Sequence, residues 1–580
     1  MKGQIWWVGI WLLGAGWAVS VQAQSKKCPC DYLIKTSGTY YAKQVNAPAG
    51  STICIQAGQY ESLKFYNFAG EADKPLTFIN YGGPVVIKST GKESALDFYN
   101  CRNIKLSGGG KPGVKYGITA QTTYQDVSAM HIHDKSTEFE VEFVEIAGAG
   151  FAGIMAKTDP SCSDSTAWRG NFTMTNLHIH DNYIHDVKGE GMYIGNSFWG
   201  SGQERTCNGV KMRLFPHNIT NLHVHHNLVE RTGAEGIQIG CAPAFNVHHN
   251  VVRSTGIDPF TPDQDNGVQI GGGADGQLHH NYLQDAHDIG LIIVGHLGDM
   301  TVANNVVINS GGVAVFCDER TGSLPNSNIR FINNTFVNSG EDGFRLYNET
   351  QKNVLVNNVI ANINTQNSKS PYKAVSFGQN ATAEQTGNMI TQDVATLRFA
   401  DHAKGDFKLL NNSPLIDKGT DVSSMGVVSD LADRLRPQGA GYDVGAYEFG
   451  ELLAPVVPGA EGCETTLTRI GYVTLQPGVQ APPLPPVEVI TGVEEPVAPI
   501  KLALSPVPCP DRLQITVGPG VEIRRVAIYS LTGQEVNQWR FAAREATGQC
   551  EIVVSPYASG LYTVRVTTSV GMGTGRFVKQ

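Results

Sequence analysis

Between about residue 140 and residue 360 one short phrase of apolar and polar positions keeps returning. It reads apolar, x, apolar, two polar residues, Asn, x, apolar, a few turn residues, then Gly, apolar, x, apolar. The Asn positions are Asn182, Asn227, Asn250, Asn281, Asn305, Asn334 and Asn358, at steps of 45, 23, 31, 24, 29 and 24 residues. The Gly-apolar partners are Gly191-Met192, Gly236-Ile237, Gly267-Val268, Gly290-Leu291, Gly312-Val313 and Gly343-Phe344. A period near 23 residues, with surplus inserted at fixed places, predicts a solenoid whose units bury their apolar faces only by stacking. Within a unit the apolar residues alternate at period two (Leu177, Ile179; Leu222, Val224; Phe245, Val247; Ile329, Phe331), which predicts short strands. No window sustains a helical period, and the Leu-dense consensus of leucine-rich repeats is absent. A parallel β-helix remains, with equivalent strands roughly 4.8 Å apart. The recurring Asn is expected at a bend, tolerating unusual backbone angles and joining an inward ladder of side-chain amides. The Gly is expected to open a second bend through its backbone freedom.

Units such as "VHHNLVERTGAEGIQIG" resemble the right-handed parallel β-helix repeat proteins. The fold expected is all-β: a right-handed parallel β-helix followed by a small C-terminal β-sandwich domain. Composition agrees, with 65 Gly, 41% hydrophobic and 17% charged residues. A net charge of −9 and pI near 6.0, without a basic stripe, argue against nucleic-acid binding.

Residues 1–23 read as a signal peptide: Met1-Lys2, an apolar run from Ile5 to Val21, and a small-x-small site ending at Ala23. No later stretch is long enough to span a membrane as a helix. Residues 24–75 read as an N-terminal cap and first coil, 76–395 as the β-helix, and 396–450 as a region closing its other open end. In that region Arg436-Pro437 and Asp443-Val444-Gly445-Ala446-Tyr447-Glu448 resemble a C-terminal signature of bacterial surface β-helix proteins. Ala432-Asp433-Arg434 departs from the Asp-Gly-Asn common there. Residues 451–500 form a Pro-rich linker.

Residues 501–580 resemble the C-terminal sorting domain of the Bacteroidetes type IX secretion system. The match rests on Ser505-Pro506-Val507-Pro508, Val526-Ala527-Ile528-Tyr529-Ser530-Leu531-Thr532-Gly533, Gly560-Leu561-Tyr562-Thr563-Val564-Arg565-Val566 and the basic end Arg576-Phe577-Val578-Lys579. The resemblance implies the type IX machinery as a partner, and a secreted or outer-membrane surface location. Eleven cysteines fit an oxidising destination. Cys162–Cys207 and Cys509–Cys550 are the expected bridges, although sequence does not settle connectivity.

Period two also tells which side chains leave the coil. His178, His180, His223, His225, His248 and His279 are predicted outward, with Asp181, His226, His249 and His280 at the bend. His225, His226, His248, His249, His279 and His280 are candidate ligands for a transition metal; stacked imidazoles packing and hydrogen-bonding at a bend are the plainer reading. A second set follows the Gly bends. Glu190, Glu235, Asp265, Asp288, Lys188 and Arg345 are candidate catalytic residues, and Tyr193, Gln238, Gln269 and Arg320 candidate substrate-binding residues. Such a face suits a polysaccharide, an acidic glycan above all, since hydroxyls take hydrogen bonds and uronates pair with cations. Two carboxylates about 5–9.5 Å apart would suit glycoside hydrolysis. A basic side chain beside a Ca²⁺-neutralised uronate would suit β-elimination, with Ca²⁺ as cofactor. The inserts 157–172, 197–217 and 256–264 are expected to wall the groove. No polygalacturonase-like signature occurs: His296 follows Gly295, but Leu297 departs from it. A lyase or hydrolase and a non-catalytic adhesin or glycan-binding stalk both stand open.

Overall fold

The computed structural model describes residues 30–366 and 372–450, and most strands of the C-terminal domain between 502 and 579. The expected signal peptide and Pro-rich linker lie outside the described residues. A typical coil adds two strands to a 23-stranded parallel sheet and one to a narrower 12-stranded parallel sheet. In one coil these are Asn218–His225, Leu228–Thr232 and Ile237–Ile239. Winding is already under way at Tyr32–Ile34, which pairs in register with Thr52–Tyr60, and the Cys30–Cys54 disulfide ties those two strands. A one-turn helix, Ala42–Val45, packs Ala42 and Val45 against the core.

The asparagines pile in register, as their recurrence predicted. Asn227 Nδ2 donates to Asn250 Oδ1 (3.0 Å), Asn250 to Asn281 (3.0 Å) and Asn281 to Asn305 (3.0 Å), while each oxygen also accepts the preceding asparagine's backbone N–H. The ladder runs from Asn182 through Asn334 and Asn358 to Asn388. The unusual backbone angle belongs to the residue before each ladder asparagine. Asp181, His226, His249, His280, Asn304, Asn333 and Asn357 all take φ between 53° and 56°, a region that Asn, Asp and His enter more readily than other non-glycine residues.

The glycines serve space rather than φ. A Cβ on Gly191 would stand 2.4 Å from Val229 Cγ1, and one on Gly236 2.3 Å from Val252 Cγ1. Gly312 does not belong to this column. Register aligns Leu291 with Val315, so Ala314 takes the glycine's place there.

Residues 396–450 lie along the flank of the solenoid, correcting the expected closure of its end. Phe399, Phe407, Leu431 and Val444 pack on Val306, Val337 and Val359. Asn304, Asn333 and Asn357 donate to Ser429 O, Asp443 O and Thr420 O. The Arg-Pro and Asp-x-Gly-Ala-x-Glu signature is the knot of this flap: Arg436 pairs with Glu448 at 2.9 Å, both side chains fully buried. Cys162–Cys207 forms as expected and joins two inserts. Cys550 is a buried free thiol, so the second expected bridge is absent; Cys509 lies outside the described residues. The C-terminal domain consists of antiparallel sheets of three and four strands around Leu513, Ile515, Val526, Ile528 and Phe577.

Asn250→Ala deletes one rung and strands the amide of Asn227. Denaturant titration is expected to show a loss of about 2–4 kcal/mol, against under about 0.5 kcal/mol for the exposed Lys352→Ala. Equal effects would remove the ladder from its structural role.

Candidate functional site

The outer face of the narrow sheet gathers most of the predicted residues. Tyr193, Gln238 and Gln269 stand side by side in register, and Gln269 Nε2 donates to Gln238 Oε1 (3.1 Å). With Arg320, Ser197 and Thr321 the two glutamines line a cleft of about 180 Å³. The insert after this strand supplies one wall. Trp199 in it is held by Asn218 (2.8 Å) and by the Arg169 guanidinium, 4.1 Å from its ring.

The acids occupy the bend just before these strands. Glu190 and Glu235 share one position on adjacent coils, with Gly191 N donating to Glu235 O at 2.9 Å. Asn266 takes that position on the next coil and donates to Glu235 Oε1 (3.1 Å). Asp265 and Asp288 sit one residue earlier, on successive coils. Glu190 is 2% and Glu235 0% exposed; the neighbouring 256–264 insert bonds Gly233 O through Asp258 N (3.1 Å) and packs Phe260 on Phe151 at 5.6 Å between ring centres. Phe260 is also why residue 189 is glycine: a Cβ there would lie 2.8 Å from its ring. Gly312 finds its reason here too, since a Cβ would fall 1.8 Å from Asp288 Oδ1.

Burial and mutual repulsion set the charge of this band. Burial, then the neighbouring Glu190 and Asp265, push the Glu235 carboxyl up to about 7. Burial, Asp265 and Glu341 raise Asp288 to about 6. Glu190 is raised by burial, opposed by the Lys157 ammonium. Lys157 stands over the Tyr193 ring at 4.6 Å. One oxygen each of Glu190, Glu235, Asp265 and Asn266 is buried without a hydrogen-bond partner. Four oxygens of this kind are the donor type a hard cation takes. They are not among the groups of His, Cys, Asp and Glu ligand atoms lying within 4.8 Å of one another in the described residues.

Other predicted residues fall outside this core. Arg345 stands four coils beyond Gln238 and is engaged by Glu341 and Asp342, both at 2.8 Å. Lys188 is exposed at the rim, 3.5 Å from Asp258. Arg320 lines the cleft but is paired with Asp318.

The predicted histidine ladder lies on the wide sheet. His225, His248 and His279 stack at 4.8 and 4.9 Å, and His226, His249 and His280 at 4.9 Å each. Within a coil the pairs join Nδ1 to Nδ1, at 2.9 Å for His225 and His226 and 2.8 Å for His248 and His249. Burial lowers the pKa of His225 to about 3 and of His279 to about 4, which leaves these two rings neutral. Each Nδ1–Nδ1 bond takes up one lone pair of its two rings. Lys157, Phe151, Phe260, Asn266 and Trp199 were missed in the sequence, because each reaches the site from outside the repeat phrase or from another coil. The register Glu235–Asn266 was the one available signal.

Residues 258–388 match the family model described as right handed beta helix region, and residues 503–580 match that of a secretion system C-terminal sorting domain. The chain thus carries a right-handed β-helix and a type IX sorting tail, which marks a secreted or cell-surface protein. No helix among the described residues is long and apolar enough to cross a membrane. No curated protein matches the chain. Similar solved structures include pectate lyase Pel9A, 12% identical over 73% of this chain and 97% of that chain, with a TM-score of 0.41. A GH136 lacto-N-biosidase from Eubacterium ramulus is 13% identical over 62% and 68%, with a TM-score of 0.41. The periplasmic alginate epimerase AlgG is 11% identical over 62% and 85%, with a TM-score of 0.28. Scores and identities this low assign no reaction to this chain.

The folded state binds the Glu235 proton more tightly than the unfolded chain does. Stability contributed by this group is therefore full below pH 4.5 and is lost as pH rises to about 7. Glu235→Gln removes that loss. Thermal and denaturant melts are expected to show a gain of about 1–3 kcal/mol near pH 8 relative to the same comparison near pH 4. A gain independent of pH would contradict the raised pKa.

Proposed function

We propose that this secreted or cell-surface protein engages a glycan chain along the outer face of its narrow sheet and cleaves glycosidic bonds there. One observation carries the reading: Glu235 is a buried carboxyl with a pKa near 7 and an oxygen without a partner, one coil from Glu190. Coils lie roughly 4.8 Å apart, near the 5–5.5 Å carboxylate separation that suits retention of configuration.

In this reading protonated Glu235 donates its proton to the glycosidic oxygen as the bond to the anomeric carbon breaks. Glu190, whose pKa burial raises against the pull of Lys157, attacks that carbon once ionised. Water, deprotonated by Glu235, then releases the sugar from Glu190 and restores both groups. Gln238, Gln269 and Tyr193 supply amide and aromatic contacts to flanking sugars. The 256–264 insert must lift for a chain to reach the pair. Its Phe260 is 44% exposed, which leaves it able to move.

Glu190, Glu235, Asp265 and Asp288 gather acid groups here, whereas Glu341 and Asp342 are paired with Arg345; the first four favour neutral glycans over the acidic class first expected. For Ca²⁺ and β-elimination, the oxygens of Glu190, Glu235, Asp265 and Asn266 offer donors, but the nearby Lys157 and Lys188 are paired with Asp159 and Asp258. The alternative, a non-catalytic glycan-binding stalk, is favoured by the deep burial of both glutamates and by the paired amides.

Reducing-end release from neutral glycans is the direct assay. Glu235→Gln and Glu190→Gln should each lower it by about 10²–10⁴-fold. Binding retained without any release, by the wild-type chain, would establish the stalk. An unsaturated, ultraviolet-absorbing product from alginate, pectin or chondroitin would establish β-elimination instead.

A further inference from the structure

A second cluster lies on the same face, nearer the N-terminus. Strand Leu96–Tyr99 pairs in register with Met130–His133, which sets Asp97 beside His131 and Tyr99 beside His133. His131 and His133 are two residues apart on one strand, so they share the outer face. Ligand atoms of Asp97, His131 and His133 lie within 4.8 Å of one another. His133 Nε2 is 3.0 Å from Asp97 Oδ1, and its Nδ1 is 2.5 Å from Asp134 Oδ2. The His131 ring stacks on His133 at 3.9 Å and makes no hydrogen bond among the described residues. Lys64, the neighbour of Asp97 on the preceding coil, is paired with Glu93.

We propose that Asp97, His131 and His133 form a Zn²⁺ site. Two imidazoles and one carboxylate are the ligand set of an open zinc centre, with a fourth position left to water or a substrate oxygen. Asp134 already supplies the outer support such a site needs. A carboxylate on Nδ1 fixes the ring so that Nε2 faces the metal position. Zn²⁺ takes the place of the proton between His133 Nε2 and Asp97 Oδ1, and that proton leaves to solvent. Bonds of about 2.0–2.2 Å put ligands roughly 3.3–3.6 Å apart, so the trio closes by at most about 1.5 Å and the His131 ring turns out of its stack on His133 to aim its lone pair at the ion. In the other two clusters Lys105 holds Glu140 (2.7 Å) and Glu142 (2.9 Å), and His225 Nδ1 bonds His226 Nδ1. The register column runs from Asp97 and His131 through Met155 to Tyr193 and Gln238, so His131 stands three coils from the glutamine of the cleft described above.

Calorimetric titration of the full mature chain with Zn²⁺ tests this. One ion per chain is expected, with affinity at least about tenfold lower in His131→Ala and His133→Ala and about tenfold lower in Asp134→Asn. Co²⁺ in place of Zn²⁺ should give visible absorption bands that His131→Ala alters. Circular dichroism melts establish that each variant is folded, and His131→Gln replaces His131→Ala if the alanine variant is not. No Zn²⁺ uptake by the wild-type chain overturns the proposal. So does uptake undiminished in the folded double variant, or uptake lost in His225→Ala while His131→Ala retains it.

Discussion

A buried amide that must find a partner governs this molecule. Each ladder asparagine is shut inside the coil, and its side chain bonds the asparagine above it, the one below and backbone carbonyls. An unpaired buried amide costs on the order of 1–3 kcal/mol. A coil that slipped by one residue would forfeit several such bonds and turn its apolar face outward. The winding therefore holds one register from Asn182 to Asn388, and every outward column inherits it.

Stacking identical positions has opposite consequences for acids and imidazoles. Carboxylates repeated on adjacent coils cannot move apart, and Glu190 and Glu235 are shut away from water. The stack relieves itself by holding protons, as Glu235 and Asp288 show. On the wide sheet burial instead pushes His225, His248 and His279 towards the neutral form, stacked at 4.8–4.9 Å and bonded nitrogen to nitrogen with His226, His249 and His280. One geometry thus yields proton-holding acids on one face and an inert stack on the other.

Much of this was legible in the chain. The asparagine positions, the outward phase of the histidines, and Glu190, Glu235, Gln238 and Gln269 as one face all follow from period two and the repeat step. The flank was less legible, although a signal existed. Val306-Val307-Ile308 and Val359-Ile360-Ala361 are apolar on both faces, unlike the alternating strands before them. Runs of that kind mean a strand covered on both sides, and residues 396–450 are the cover. The glycine column was also misread at Gly312, because a spacing rule does not see a carboxylate arriving from the neighbouring coil.

The sequence alone determined the coil, its register and the identity of the outward columns, since these depend on local alternation and on a repeat that must match itself. Only the tertiary structure decided which outward groups matter. The reach of Lys157 over Tyr193, the packing of Phe260 on Phe151 and the stacking of His225 on His248 join residues from different coils or inserts. Charge state follows from burial and neighbours, and neither is written in a one-dimensional pattern.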